Sequence, residues 1–228
     1  MQKPRHKSNI LYSLIPTFDL LSEPWGIKDT KSRHIYMNKA AKMYTSTPDN
    51  FDVEGKLDSD FPASWAEMSD GFAEHDRKTE NAGSRIAVIE TDFWFGKKEM
   101  EPYFSEKFPI FDDQKKCIGT IWNARKVKVI STLACIGKEK PGVLHIDSQS
   151  DTFTENEMNI IFLLMKRHSH KEISNILSIA VKTVSNRIQN MKEKAGVHSV
   201  RQLEDFCREL GLESYLPKNM VRKGIRFV

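Results

Sequence analysis

Between Val181 and Gly196 the side chains that could touch another molecule share one register. Val184, Ile188, Met191 and Ala195 recur at helical spacing and are expected on a buried side. A turn of about 100° per residue then puts Lys182, Asn186, Gln189, Asn190 and Glu193 on the opposite side. Asn and Gln can make bidentate contacts to adenine, and Lys can read guanine or hold a phosphate. Thr183, Ser185 and Arg187 flank that face and suit phosphates, which position a protein without carrying sequence information. On an isolated helix the same residues would be an ordinary wet surface, so the reading depends on the neighbouring elements.

Those elements have a recognisable order. Thr154 followed by Glu157 makes a capping box that starts a helix running to about Lys166, with Met158, Ile161, Phe162 and Met165 on its apolar side. A second helix, from about His170 to Leu177, carries Ile173, Ile176 and Leu177. Only Ser178-Ile-Ala-Val181 separates it from the third. Two short amphipathic helices joined by such a turn are the skeleton of a helix-turn-helix, whose second helix enters the major groove. Ala180 at the start of the third helix lacks a capping oxygen, a loss generally worth ~0.5–2 kcal/mol, and Ser178 is the nearest substitute. Gly196 suits a left-handed C-cap, and Ser199 can cap a fourth helix, Val200 to Leu210. Its face of Val200, Leu203, Phe206, Cys207 and Leu210 fits either a core or a dimer seam. Residues 211–228, with Lys218, Arg222, Lys223 and Arg226, either cover the fourth helix or add phosphate contacts.

This stretch resembles the C-terminal domain of LuxR-type transcription regulators. Phe153-Thr154-Glu155-Asn-Glu157 matches the family's opening, and Lys171-Glu172-Ile173, Thr183-Val184 and Lys194-Ala195-Gly196-Val197 match its later signatures. The departures are Arg167 at the usual glycine, Ala180 at the usual serine, and Ser185 and Arg187 where Lys and His are commonest. The resemblance implies a four-helix domain that binds double-stranded DNA through its third helix and dimerises through its fourth. A small module of this kind gains affinity from two half-sites, so a homodimer is expected.

The N-terminal half has a different character. Leu11, Leu14, Ile15, Phe18 and Leu21 fit one amphipathic helix that Pro16 must end or bend. Strands are expected at Trp25–Asp29 and His34–Met37, then a helix Lys39–Tyr44 capped by Asn38. After a loop, Trp65, Met68, Phe72 and His75 have helical spacing over 64–78. Three further strands follow, at about 85–90, 102–111 and 117–124, the last two joined by a hairpin turn at Asp112-Asp-Gln-Lys115.

This order, and the phrase Phe108-Pro-Ile-Phe-Asp-Asp followed by Ile118-Gly-Thr-Ile, resemble PAS domains over about residues 20–130. The resemblance implies a sensory or dimerising domain that takes a small molecule or a protein partner. Trp25, Tyr36, Trp65, Phe72, Trp94, Tyr103 and Trp122 are candidates either to line a pocket or to fill the core. Haem would need His75 or His34 as axial ligand, and Cys117 beside a hairpin turn is badly placed for a photoactive flavin. No cofactor is assigned and none is expected. An acyl-homoserine-lactone sensor is the competing reading of this half, and a protein-interaction module that modulates another regulator is the alternative for the whole chain.

Composition sets the outer limits. The 228 residues are 39% hydrophobic and 29% charged, enough to build a core. The net charge of +4 lies in the helical end: residues 1–150 hold 22 Lys+Arg against 22 Asp+Glu, and residues 151–228 hold 13 against 9. Coinciding with a helix-turn-helix, that excess fits phosphate binding. Cys117, Cys135 and Cys207 are odd in number and far apart, which points to a reducing compartment without a structural zinc site. No apolar run reaches the ~18–20 residues of a membrane span, so a cytoplasmic protein is expected. Asp58, Asp60, Asp70, Glu74 and Asp76 are scattered, and no nucleophile–base pair, metal cluster or phosphate loop stands at a recognisable spacing, so no enzyme is expected. The expected fold is α+β: a PAS-like antiparallel sheet with short helices over 1–135, a linker at 136–150, and a four-helix LuxR-type domain over 151–228.

Overall fold

The computed structural model describes residues 6–129, 142–146 and 150–228. The expected Cys135, Ile130 and Leu133 positions, and most of the anticipated linker, lie outside the described residues. The chain divides into two compact units, Met1–Val127 with Val221–Val228, and Lys128–Met220.

In the first unit, α1 (His6–Ser13) and α2 (Ile15–Phe18) replace the single expected helix. They break at Leu14, and Pro16 stands in the first turn of the second, where its missing N–H costs nothing. Strands β1 (Trp25–Asp29) and β2 (His34–Met37) lead to α3 (Lys39–Tyr44). Asn38 caps α3 by accepting from the Ala41 N–H at 2.8 Å, and its amide also donates to the Phe18 carbonyl at 3.0 Å. One side chain therefore starts a helix and anchors the N-terminal segment. The long helix α4 (Ser69–Ala82) follows a 3-10 turn at Ser64–Met68, a tighter start than the continuous helix expected over 64–78. Then come β3 (Ile86–Asp92), β4 (Glu101–Phe111) and β5 (Cys117–Lys126). In the hairpin turn the Asp112 carboxylate accepts from the Gln114 and Lys116 N–H groups, a local bond that Asp supplies readily.

The sheet order is β2-β1-β5-β4-β3, and a sixth strand, β8 (Gly224–Phe227), pairs antiparallel with β3. Residues 221–228 therefore complete the first unit's sheet; the expectation that they belong with the helical end is corrected. Apolar residues of the tail, chiefly Ile225, find a buried partner there that solvent would deny them. One core cluster, around Tyr44, Phe61, Trp65, Trp94 and Trp122, lies with α3 and α4. Another packs Leu11 and Phe18 against Ile27, Ile110 and Ile118.

The second unit opens with a short ladder between β6 (Lys128–Val129) and β7 (Gly142–Val143). It continues as α5 (Glu155–Met165), α6 (His170–Leu177), α7 (Val181–Ala195) and α8 (Val200–Glu209). Capping boxes start α5, α6 and α8, each pairing a Ser or Thr hydroxyl with a Glu or Gln three residues on. Met158, Ile160, Ile161, Ile173, Val184, Met191 and Leu203 are all essentially sealed from water. Leu212 and Tyr215 join this core, so the stretch after α8 covers the helices up to Met220. Among the described residues no helix is long and apolar enough to cross a membrane.

Candidate ligand cavity and nucleic-acid interface

The turn between α6 and α7 is built from backbone conformation more than from caps. Ser178 takes the left-handed conformation, φ 53°, and closes α6. It does not cap α7: Ala180 stands at that N-cap with no side-chain hydrogen bond, so the substitution expected of Ser178 does not occur. Ser174 Oγ instead donates to the Ile179 carbonyl at 2.6 Å and holds the turn from the side of α6. Arg167, at the position where LuxR-type domains usually carry glycine, has φ 66°. Only glycine enters that region without steric cost, which accounts for the usual residue there. The Arg167 guanidinium reaches Glu204 of α8 at 2.7 Å.

Helix α7 divides as its spacing requires. Val184, Ile188 and Met191 are buried, whereas Lys182, Asn186, Gln189, Asn190 and Glu193 are exposed. Thr183, Ser185 and Arg187 lie half-buried along the flank. Two contacts qualify individual side chains. Ser185 Oγ is 3.2 Å from His170 Nδ1 on α6, and Gln189 Nε2 donates to Glu193 Oε1 at 2.9 Å. Gly196, φ 67°, ends the helix. The Lys194 ammonium bonds both Glu157 oxygens, at 2.7 and 2.9 Å, tying the end of α7 to the first turn of α5. On α8, Leu203 and Cys207 are core residues, Val200 and Phe206 are partly covered, and Leu210 is exposed. The basic tail is largely engaged: Lys223 pairs with Glu67 at 2.8 Å and Asp92 at 3.4 Å, and Lys218 with Glu155 at 3.5 Å.

The first unit encloses a cavity of about 30 Å³ between the sheet, α3 and α4. Trp65, Phe72, Trp94 and Trp122 form its aromatic walls. Tyr103 belongs to the same core, while Trp25 and Tyr36 pack with the N-terminal helices. Of the two histidines considered for haem, His75 is fully buried with Nε2 bonded to the Ile86 carbonyl at 3.0 Å. His34 lines the cavity, but its Nε2 bonds Asp58 at 2.9 Å. The Nδ1 atoms of both histidines are buried without a partner, but the space beside them is far too small for a macrocycle, so the residues present do not fit haem.

Reading the sequence missed the charged groups around this cavity. Lys28 on β1 and Lys107 on β4 are buried, and their ammonium groups pair with Asp58 and Asp76 respectively. Lys28 also reaches Asp76 at 3.6 Å, and Lys107 donates to the Phe72 carbonyl at 2.9 Å. Two of the acidic residues that looked scattered therefore converge. Burial disfavours each charge, and the outcome depends on the neighbours. It would raise the Asp76 pKa, but the two ammonium groups outweigh it and hold the carboxyl at about 2. Asp58 is likewise held well below the ordinary carboxylate range, chiefly by Lys28 against its burial. Burial wins at Lys107, which is lowered, and loses at Lys28, which its carboxylates raise. Glu90 on β3 accepts from the Tyr44 hydroxyl at 2.8 Å, and burial pushes its carboxyl up to about 7. No local signal pointed here: β1 also carries Asp29, and β4 also carries Glu101, Ser105 and Glu106, so neither lysine stands out from its strand.

Comparison with known proteins agrees with both halves. Residues 151–207 match the model of the luxR family of bacterial regulatory proteins, and residues 18–129 match a model of the PAS fold. A comparison with curated protein sequences gives no significant match. Among solved structures, a VqmA–ligand–DNA complex from Vibrio cholera aligns over 95% of this chain and 96% of its own, with TM-score 0.77 and 23% identity. A phage VqmA–DPO complex aligns over 98% of both chains, with TM-score 0.73 and 24% identity. At these identities the likeness is one of fold, and it extends over both units. A PAS fold over residues 18–129 therefore precedes, over residues 151–207, a domain that matches the luxR family of bacterial regulatory proteins.

Proposed function

We propose that this protein binds operator DNA by laying α7 in the major groove, as a homodimer on two half-sites, under the control of a small molecule held by the PAS cavity. Lys182, Asn186, Gln189 and Asn190 are assigned to base edges, and Thr183, Ser185 and Arg187 to phosphates. The observation that carries the reading is the division of α7: Val184, Ile188 and Met191 are sealed in the core, and Lys182, Asn186, Gln189 and Asn190 face solvent. The bonds at Ser185 and Gln189 refine it. The Ser185 hydroxyl approaches a phosphate while oriented by His170, and Gln189 presents its carbonyl oxygen because Glu193 takes its amide. That the similar VqmA structures hold DNA, a ligand or DPO supports the same assignment here. The reading puts the protein in the cytoplasm, with its DNA.

The cavity's charged groups are already paired and its walls are aromatic, but its roughly 30 Å³ has room for only a water or two, so a small flat molecule would enter by parting those walls. Occupancy then shifts the balance of arrangements by its differential affinity for them. Fluorescence anisotropy at ~150 mM salt with duplexes selected from random DNA tests the interface. Wild type should prefer its selected site over scrambled duplex by several kcal/mol, and the Lys182→Ala/Asn186→Ala variant should lose that preference. Unchanged operator binding by the double variant would remove α7 from the groove. Titration with DPO, followed through the tryptophans of the cavity, tests the ligand site.

A further inference from the structure

The sheet of the first unit is finished by the last residues of the chain. The polypeptide leaves that unit after Val127, forms the whole helical unit, and returns at Val221 to lay β8 along β3. The helix-turn-helix unit is thus an insertion held at two points, where a bead on a string would have one. The second attachment is built with some care. Ile225 packs into the cluster that surrounds the cavity, and a Cβ placed on Gly71 of α4 would come within 2.9 Å of Ile225 Cδ1. A glycine inside a helix costs about 1 kcal/mol relative to alanine, and here it makes the room the strand requires. Phe227 meets the His75 ring edge-on at 5.7 Å, with the Lys78 ammonium 3.5 Å from its centroid. Lys223 bonds the Ser64 carbonyl at 2.9 Å in addition to its two carboxylates.

We propose that β8 is a strap that restricts how the helical unit can move on its tether, and so sets the half-site spacing the dimer accepts. The inference rests on the DNA-binding reading above and deepens it. The strap lies against the walls of the cavity: Ile225 pairs with Glu90, and Lys223 grips the turn that carries Trp65. Four residues on a sheet edge, with no strand beyond them among the described residues, make an attachment that can be released without unfolding the sheet.

The test uses the full chain, a chain ending at Lys223, and the milder Phe227→Gly variant. Each is titrated with duplexes carrying one or two copies of the half-site selected by the wild type, the two copies at native spacing or about five base pairs further apart. Losing the strap should leave affinity for the single half-site unchanged. Affinity for the two-site duplex should fall by about tenfold or more, and discrimination between spacings should shrink, with Phe227→Gly intermediate. The proposal is overturned if spacing preference persists in the variants, or if single-site affinity falls by the same factor. Should the truncated chain fail to fold, Phe227→Gly decides by the same criteria. If the wild type itself shows no site preference, the DNA-binding reading fails first and takes the strap with it.

Discussion

Lys107 on β4 donates to the backbone carbonyl of Phe72 and to the carboxylate of Asp76, two residues one helical turn apart on α4. A single buried ammonium thus fastens the long helix to the sheet. Ser32 Oγ donates to the other Asp76 oxygen at 2.8 Å, so that carboxylate also links α4 to the turn after β1.

Asp76→Ala should destabilise the first unit by roughly 3–5 kcal/mol, because it leaves Lys107 buried without its partner. In the wild type the acid limb of stability should follow this carboxyl. Its folded pKa, about 2, is below the unfolded value, so its contribution is present above about pH 4 and is lost as pH falls toward 2. Urea unfolding at pH 7 and at pH 3 checks both statements. A variant loss as large at pH 3 as at pH 7 would contradict the assignment.

Glu90 has the opposite sign. Burial raises its pKa to about 7, so the folded form holds a proton that the unfolded chain releases near the ordinary carboxylate value. Its contribution is fully present below about pH 4.5 and is lost as pH rises through 7. Glu90→Gln should therefore flatten the pH dependence between 5 and 8, and should gain relative to wild type on the alkaline side. Thermal unfolding across that range measures the effect; parallel curves for the two proteins would rule it out.

Ala180 has extended backbone, φ −63° and ψ 143°, at the start of α7, which is the conformation an N-cap requires. Ala180→Ser should supply the missing acceptor and stabilise the helical unit by ~1 kcal/mol. Chemical denaturation followed by helical circular dichroism would register it. No shift in midpoint would mean that the turn, held by Ser174, already satisfies the first N–H groups.

Much of this molecule was legible because the deciding signals are local. The capping pairs Thr154/Glu157 and Asn38, the 3.6-residue spacing of Val184, Ile188 and Met191, and the aspartate turn at 112 each act over a few residues. What escaped is decided at long range. Nothing local marks Lys28 and Lys107 as buried; they are accommodated there because Asp58 and Asp76, some thirty residues away in sequence, arrive beside them. Nothing in Gly224–Phe227 names the edge it will pair with, since four residues of strand carry little register information of their own. The site residues on α7 belong to the local class, and the residues around the cavity to the long-range class.

The order of synthesis gives the returning strand another significance. β3 emerges from the ribosome with its outer edge bare, and its partner follows only after the residues from Lys128 to Met220 have been made. Residues 93–223 separate the two strands, and at typical elongation rates of about 5–20 residues per second that interval is roughly 7–26 s. For that time a nascent chain presents an open ladder to its neighbours on the polysome, the situation in which edge-to-edge association begins.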